Sequence, residues 1–155
     1  LEFYEPDDLE TIVRAASARI GVDDPEPAAI TLLARRSRGT PRVALRLLRR
    51  VRDFAQVRST GAVTVDVVDQ AMKLEGVDER GLDRLDHRYL ETIARVYDGG
   101  PVGVEAMAAT MGEDAGTLKD VVEPYLLRIG LIARTPQGRR LTSLSQSGGA
   151  TSELW

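Results

Sequence analysis

Along most of this chain the apolar residues recur three or four positions apart, and only in residues 131–142 do they alternate. A 3–4 spacing places side chains on one face of a helix, whereas alternation is the signature of a strand. The first stripe is Leu9, Ile12, Val13, Ala16 and Ile20, opened by Pro6, Asp7 and Asp8 and stopped by Gly21. Pro in a first turn and acids at the positive end of the helix dipole both favour a start there. A Pro-rich turn at 24–27 leads to a second helix over 28–36, with Ile30 and Leu33 inward. Thr40 and Pro41 open a third, buried through Val43, Leu47, Leu48, Val51 and Ala55. Thr64 caps a fourth, with Val67, Val68, Ala71 and Leu74 as its stripe and Gly76 as its stop. Four helices with short connections predict a compact helical domain over residues 5–75.

After a boundary expected at 76–81, a fifth helix is predicted over 82–97, with Leu82, Leu85, Tyr89, Leu90, Ile93 and Val96 inward. A sixth spans 104–111. A seventh starts near Ala115 and carries Leu118, Val121, Val122, Tyr125, Leu126 and Ile129, with Pro124 set to kink it. Residues 131–135 and 139–142 then read as two strands around Pro136-Gln137-Gly138. Three helices followed by a hairpin is the order of a winged helix, a variant of the helix-turn-helix, here over 77–142. The Ser/Gly-rich remainder, 143–155, is expected to be a disordered tail. The fold class is therefore mainly α, with one β-hairpin.

Composition narrows the chemistry. The 155 residues contain no Cys and one His, His87. Disulfides, thiolate metal sites and Cys nucleophiles are excluded, and a His-based metal site or triad is disfavoured. His87 reads as a surface or partly buried helix residue. No run of 18 apolar residues suggests a membrane span. The start, Leu1-Glu2-Phe3-Tyr4, has no Met and no signal pattern, and reads as the interior of a longer or trimmed chain. Net charge is −3 but unevenly placed: residues 35–58 hold nine Arg and one acid, residues 1–34 are net −6, and residues 125–155 are net +3.

Two constellations stand out. The hairpin tip carries Arg134, Arg139 and Arg140, which suit contact with a phosphate backbone; equally, they suit a solvated hairpin guarded against edge pairing. The helix before it carries Glu113, Asp114, Asp120 and Glu123 against Lys119, which disfavours base reading in a major groove. In the other constellation, Arg38-Gly39-Thr40-Pro41-Arg42, a Gly turn feeds a helix start. Arg42 there is placed either to meet an anion beside the helix dipole or to form a surface salt bridge. No Walker-type phosphate loop occurs in the sequence.

Several motifs together carry a family resemblance. They are Arg35-Arg-Ser-Arg-Gly-Thr-Pro-Arg42, Leu47-Leu-Arg-Arg-Val-Arg-Asp-Phe-Ala55, Leu1-Glu-Phe-Tyr4, Gly76-Val-Asp-Glu79, Gly81-Leu-Asp83, Gly100-Pro-Val-Gly103, Glu123-Pro-Tyr-Leu126 and Arg134-Thr-Pro-Gln-Gly-Arg139. The chain resembles, over residues 1 to about 142, the RuvB family of bacterial Holliday-junction branch-migration motors, which are AAA+ ATPases. Leu45 departs from the pattern, standing where an Asn is expected.

The resemblance implies the end of a large ATPase domain at 1–4, a small AAA+ lid at 5–75 and a winged-helix head at 77–142. It implies an ATP-dependent helicase that acts in recombination, repair and the SOS response. It makes Arg42 the sensor-2 arginine, with Tyr4, Pro41 and Arg42 at the nucleotide and Arg134 and Arg139 on DNA; Arg140 joins them from the charge pattern. ATP or ADP with Mg is the expected cofactor of the whole protein, with none held tightly by this chain. Without Walker segments the chain is expected to be inactive alone. Implied partners are the duplex arms of a junction, further RuvB subunits in a hexameric ring, RuvA and RuvC, in the bacterial cytoplasm and away from membranes. The competing expectation is a free-standing winged-helix regulator.

Overall fold

The computed structural model describes residues 3–147. Its contacts divide the chain into two units, one through Asp83 and one from Arg84.

The first unit holds α1 (Pro6–Arg19), α2 (Pro27–Arg35), α3 (Pro41–Arg58) and α4 (Val65–Glu75). Thr40 and Thr64 cap α3 and α4, their hydroxyls accepting from the Val43 and Val67 N–H groups (both 3.2 Å). α3 packs against all three other helices, and Leu9, Val13, Ile30, Leu33, Leu47, Leu48 and Val51 are buried in the common core. Leu45 packs, half-buried, against the same core. On α4 the expected inward Leu74 is 60% exposed and Met72 is buried instead. Met72 continues the Val68 row at i+4 and lies on the same face.

By its contacts the unit extends through Asp83. Val77 joins the core. The Asp78 carboxylate accepts from the Arg80 and Leu82 N–H groups (2.8 and 2.9 Å), folding the segment back. A Cβ on Gly81 would lie 3.0 Å from the Arg36 carbonyl, so the turn sits directly on the α2 end.

Asp69 on α4 pairs with Arg36 and Lys73, each at 3.1 Å. The Lys73 hydrogen bond, the largest effect, together with the Arg36 hydrogen bond and the charges of both partners, holds its carboxyl below the ordinary value against the opposing effect of burial. Its contribution to stability is therefore full above the ordinary Asp range and is lost as pH falls through the lowered value. Asp69→Asn should flatten the acid limb of unit stability between those values, measured by urea midpoints against pH. An unchanged acid limb would refute the linkage. The effect is small, because water screens a partly exposed pair.

The second unit holds α5 (Arg84–Arg95), α6 (Val104–Met111) and a composite helix, α7, over 115–128. Strands β1 (Ile132–Thr135) and β2 (Gly138–Leu141) and a short α8 (Ser143–Ser147) follow. α5 is shorter than the predicted 82–97, and Val96, expected inward, is 60% exposed. The strands pair antiparallel in the register Ile132–Leu141 to Thr135–Gly138. β2 also pairs on its other side: the Val102 and Arg139 N–H groups each donate to the other's carbonyl (2.8 and 2.7 Å).

α7 departs from its predicted periodicity. It begins α-helical, widens to a π turn over Leu118–Val122, and resumes as Glu123–Arg128. Pro124 has no N–H for the carbonyl four residues back, and its ring crowds that carbonyl; the wide turn absorbs both. Rotation follows. Leu118, Val122 and Leu126 are buried at a spacing of four, Val121 is 59% exposed, and Glu123 is fully buried.

The expected tail does not begin at 143. α8 packs on β2, Ser145 donates its hydroxyl to the Leu131 carbonyl, and Thr142 donates to that of Gly130. These side-chain bonds tie the segment to the hairpin base. The rest of the expected tail, 148–155, lies outside the described residues.

Candidate functional site

Two places draw attention, one in each unit. In the first, Tyr4, Pro41 and Arg42 come together at the start of α3. The Tyr4 N–H donates to the Gly39 carbonyl (2.7 Å), laying the chain before α1 across the turn. Gly39 has φ +72°, and a Cβ there would stand 3.1 Å from the Phe3 ring. Glycine thus serves both the left-handed turn and the close crossing. Tyr4 is 37% exposed and Pro41 half-buried.

Arg42 is exposed and forms no ion pair among the described residues. Its neighbours in the arginine run have structural work. Arg36 is buried against Asp69, and Arg38 is buried and lies 4.0 Å from Asp83. An exposed cation and a Pro thus open the helix, with the Tyr4 backbone crossing the turn before it, an arrangement that can receive an anion at a helix N-terminus.

The second place is the wing. Arg134 and Arg139 face one another across the strands, yet only Arg134 and Arg140 are exposed. The Arg139 side chain is 18% exposed and donates from Nε to Glu123 (2.9 Å). Arg134 lies 3.8 Å from the other oxygen of the same carboxylate. From α5, Tyr89 donates its hydroxyl to Glu123 (2.7 Å). Burial, reinforced by that carboxylate, raises the Tyr89 hydroxyl well above the ordinary tyrosine value, so it remains a donor. The hairpin tip therefore does not present three equivalent cations, as its spacing suggested. Sequence reasoning counted Glu123 only among the acids of this helix that disfavour base reading; the one sign of its burial was its place beside Pro124 in an apolar stripe.

His87 is half-buried on α5. No group of His, Asp and Glu among the described residues is arranged to hold a metal. No described helix is long and apolar enough to cross a membrane.

Known proteins match both units. The family described as the RuvB AAA lid domain matches residues 4–78, and that of the RuvB C-terminal winged helix domain matches 79–147. The second match extends through α8. The Holliday junction branch migration complex subunit RuvB of Saccharopolyspora erythraea is 54% identical over 92% of this chain and 40% of its own length. The same subunit of Desulfosudis oleivorans is 54% identical over 91% and 41%. The solved Thermotoga maritima RuvB, described as a Holliday junction branch migration motor, superposes with a TM-score of 0.90 at 43% identity, covering 96% of this chain and 49% of that one. The chain is thus an AAA lid domain followed by a winged-helix domain. It belongs to the RuvB family, and spans about two fifths of the length of the curated relatives it matches.

Proposed function

We propose that the chain is the lid and DNA-binding head of an ATP-driven motor for Holliday-junction branch migration. The observation that carries this reading is the pairing of the two units with the two RuvB domain families, one presenting Arg42 at a helix start and the other a cationic wing. In the whole protein, ATP with Mg supplies the free energy of hydrolysis. This chain's residues orient it: Tyr4 and Pro41 flank the base, and Arg42 reaches the terminal phosphate. Loss of that phosphate removes Arg42's partner and frees the lid to rotate. The winged helix, reaching 77–142 with α8 behind it, follows the DNA backbone through Arg134, Arg139 and Arg140. Asp120 on α7 and Asp114 at its cap, both exposed, keep that contact independent of base sequence. Alone the chain hydrolyses no ATP; in a cytoplasmic hexameric ring, with RuvA and RuvC at the junction, it serves recombination and repair.

Anisotropy of a labelled duplex and a four-way junction, titrated at several salt concentrations, tests the wing. Binding should be weak and insensitive to base sequence. Arg140→Ala should reduce the slope of log K against log salt by about one unit, since one phosphate contact is lost. A strong preference for one duplex sequence would instead identify a free-standing regulator. In the ring-forming protein, Arg42→Ala should slow ATP turnover while leaving junction binding intact.

A further inference from the structure

Glu123 is a charged side chain with no exposure, held in the second unit by a phenol and two guanidinium groups. Burying a carboxylate is costly unless it is paired. The sheet explains the need for it. Arg134 and Arg139 lie directly opposite in an antiparallel register, and like charges so placed repel. Glu123 stands between them: one oxygen takes the Arg139 Nε–H and the Tyr89 hydroxyl, and the other, without a hydrogen bond among the described residues, faces Arg134 at 3.8 Å. The attachment to Arg139 uses Nε, so the terminal nitrogens of that guanidinium are left to other partners. An arginine held by its inner nitrogen loses less rotamer freedom when its outer fork meets a phosphate.

We propose that Glu123 is the positioning residue of the wing: a buried carboxylate that pins Arg139 and draws in Arg134, presenting the two as a fixed pair to the sugar–phosphate backbone of duplex DNA. The π turn in α7 makes this possible by rotating Glu123 inward under the hairpin. Tyr89 fixes the carboxylate from the opposite side. The inference rests on the wing's role as a DNA contact.

The test compares Glu123→Leu, Glu123→Gln, Arg139→Ala and the double variant Glu123→Leu/Arg139→Ala in the 155-residue chain. A mixed-sequence duplex is titrated across salt, and the Arg139 Nε–H resonance is followed by NMR. The wild-type Nε–H should exchange slowly with water. Glu123→Leu should abolish that protection and lower the salt slope by about one unit, to the value of Arg139→Ala. The double variant should fall no lower than either single. Glu123→Gln, which keeps an acceptor oxygen, should retain the protection and bind within about threefold of wild type.

A wild-type slope in Glu123→Leu, or an additive loss in the double variant, would overturn the proposal and leave Glu123 a structural counter-charge. If Glu123→Leu fails to fold, Glu123→Gln decides: protection and the wild-type slope retained together support positioning, and an unprotected Nε–H with an unchanged slope refutes it. If wild type binds no duplex even at low salt, the DNA reading fails and takes the backbone contact with it. A protected Nε–H that depends on Glu123 would still establish the pinning.

Discussion

Gly138→Ala should destabilise the second unit by about 3–5 kcal/mol, from backbone strain together with two lost main-chain hydrogen bonds. Gly138 opens β2 with φ +131°, and a Cβ there would lie 2.4 Å from both the carbonyl carbon and oxygen of Val102. Those are backbone atoms and have no rotamer in which to retreat. The added methyl must push β2 away from residues 102–103 and break the reciprocal Val102–Arg139 bonds. Arg139 rides on the displaced strand, so duplex affinity should fall with stability. Gly103→Ser makes the control: a Cβ there meets nothing within 4 Å, and Gly103 caps α6 with an ordinary extended backbone. It should leave the melting temperature unchanged or raise it slightly. Thermal unfolding of both variants decides the matter; a Gly138→Ala loss below about 1 kcal/mol would show that β2 can shift freely.

Leu48→Ala should cost the first unit about 2–5 kcal/mol through lost burial and a residual cavity. Leu48 is fully buried on α3, the helix against which α1, α2 and α4 all pack. Collapse into the void would require several helices to move together, which places the expected cost at the upper part of that span. For a unit of this size the melting temperature should drop by roughly 4–8 °C for each kcal/mol. Arg46→Ala, exposed on the same helix, should change it by no more than about 0.5 kcal/mol. Equal losses in the two variants would contradict the placement of the core.

The helical stripes are local, so the first-unit helices and the hairpin are legible from spacing and from Thr and Pro at helix starts. The departures have separate causes. Leu74 and Val96 lie at the last turns of their stripes, where a regular period says which residues share a face but not where the packing partner ends. Val121 and Glu123 exchange places because a single Pro is absorbed by a wide turn, and a count at 3.6 residues per turn cannot register that. The segment past 142 looked featureless because its order comes from serine and threonine hydroxyls bonding carbonyls 12–14 residues away.

The two sites divide in the same way. Around Arg42 almost everything is local: a Gly turn, a cap and a Pro within four residues, to which tertiary structure adds only the crossing of Tyr4 over Gly39. Chain-local propensity and apolar period suffice for such features, because each involves residues a turn apart. The wing is different. Three arginines in a hairpin look alike in one dimension. It takes Tyr89 from α5 and Glu123 from α7, 34 and 16 residues from their partners in the chain, to make Arg139 a held group and leave Arg140 exposed. A buried charge is tolerated only where distant segments converge to pair it, and that convergence belongs to the folded unit and not to any stretch of its sequence.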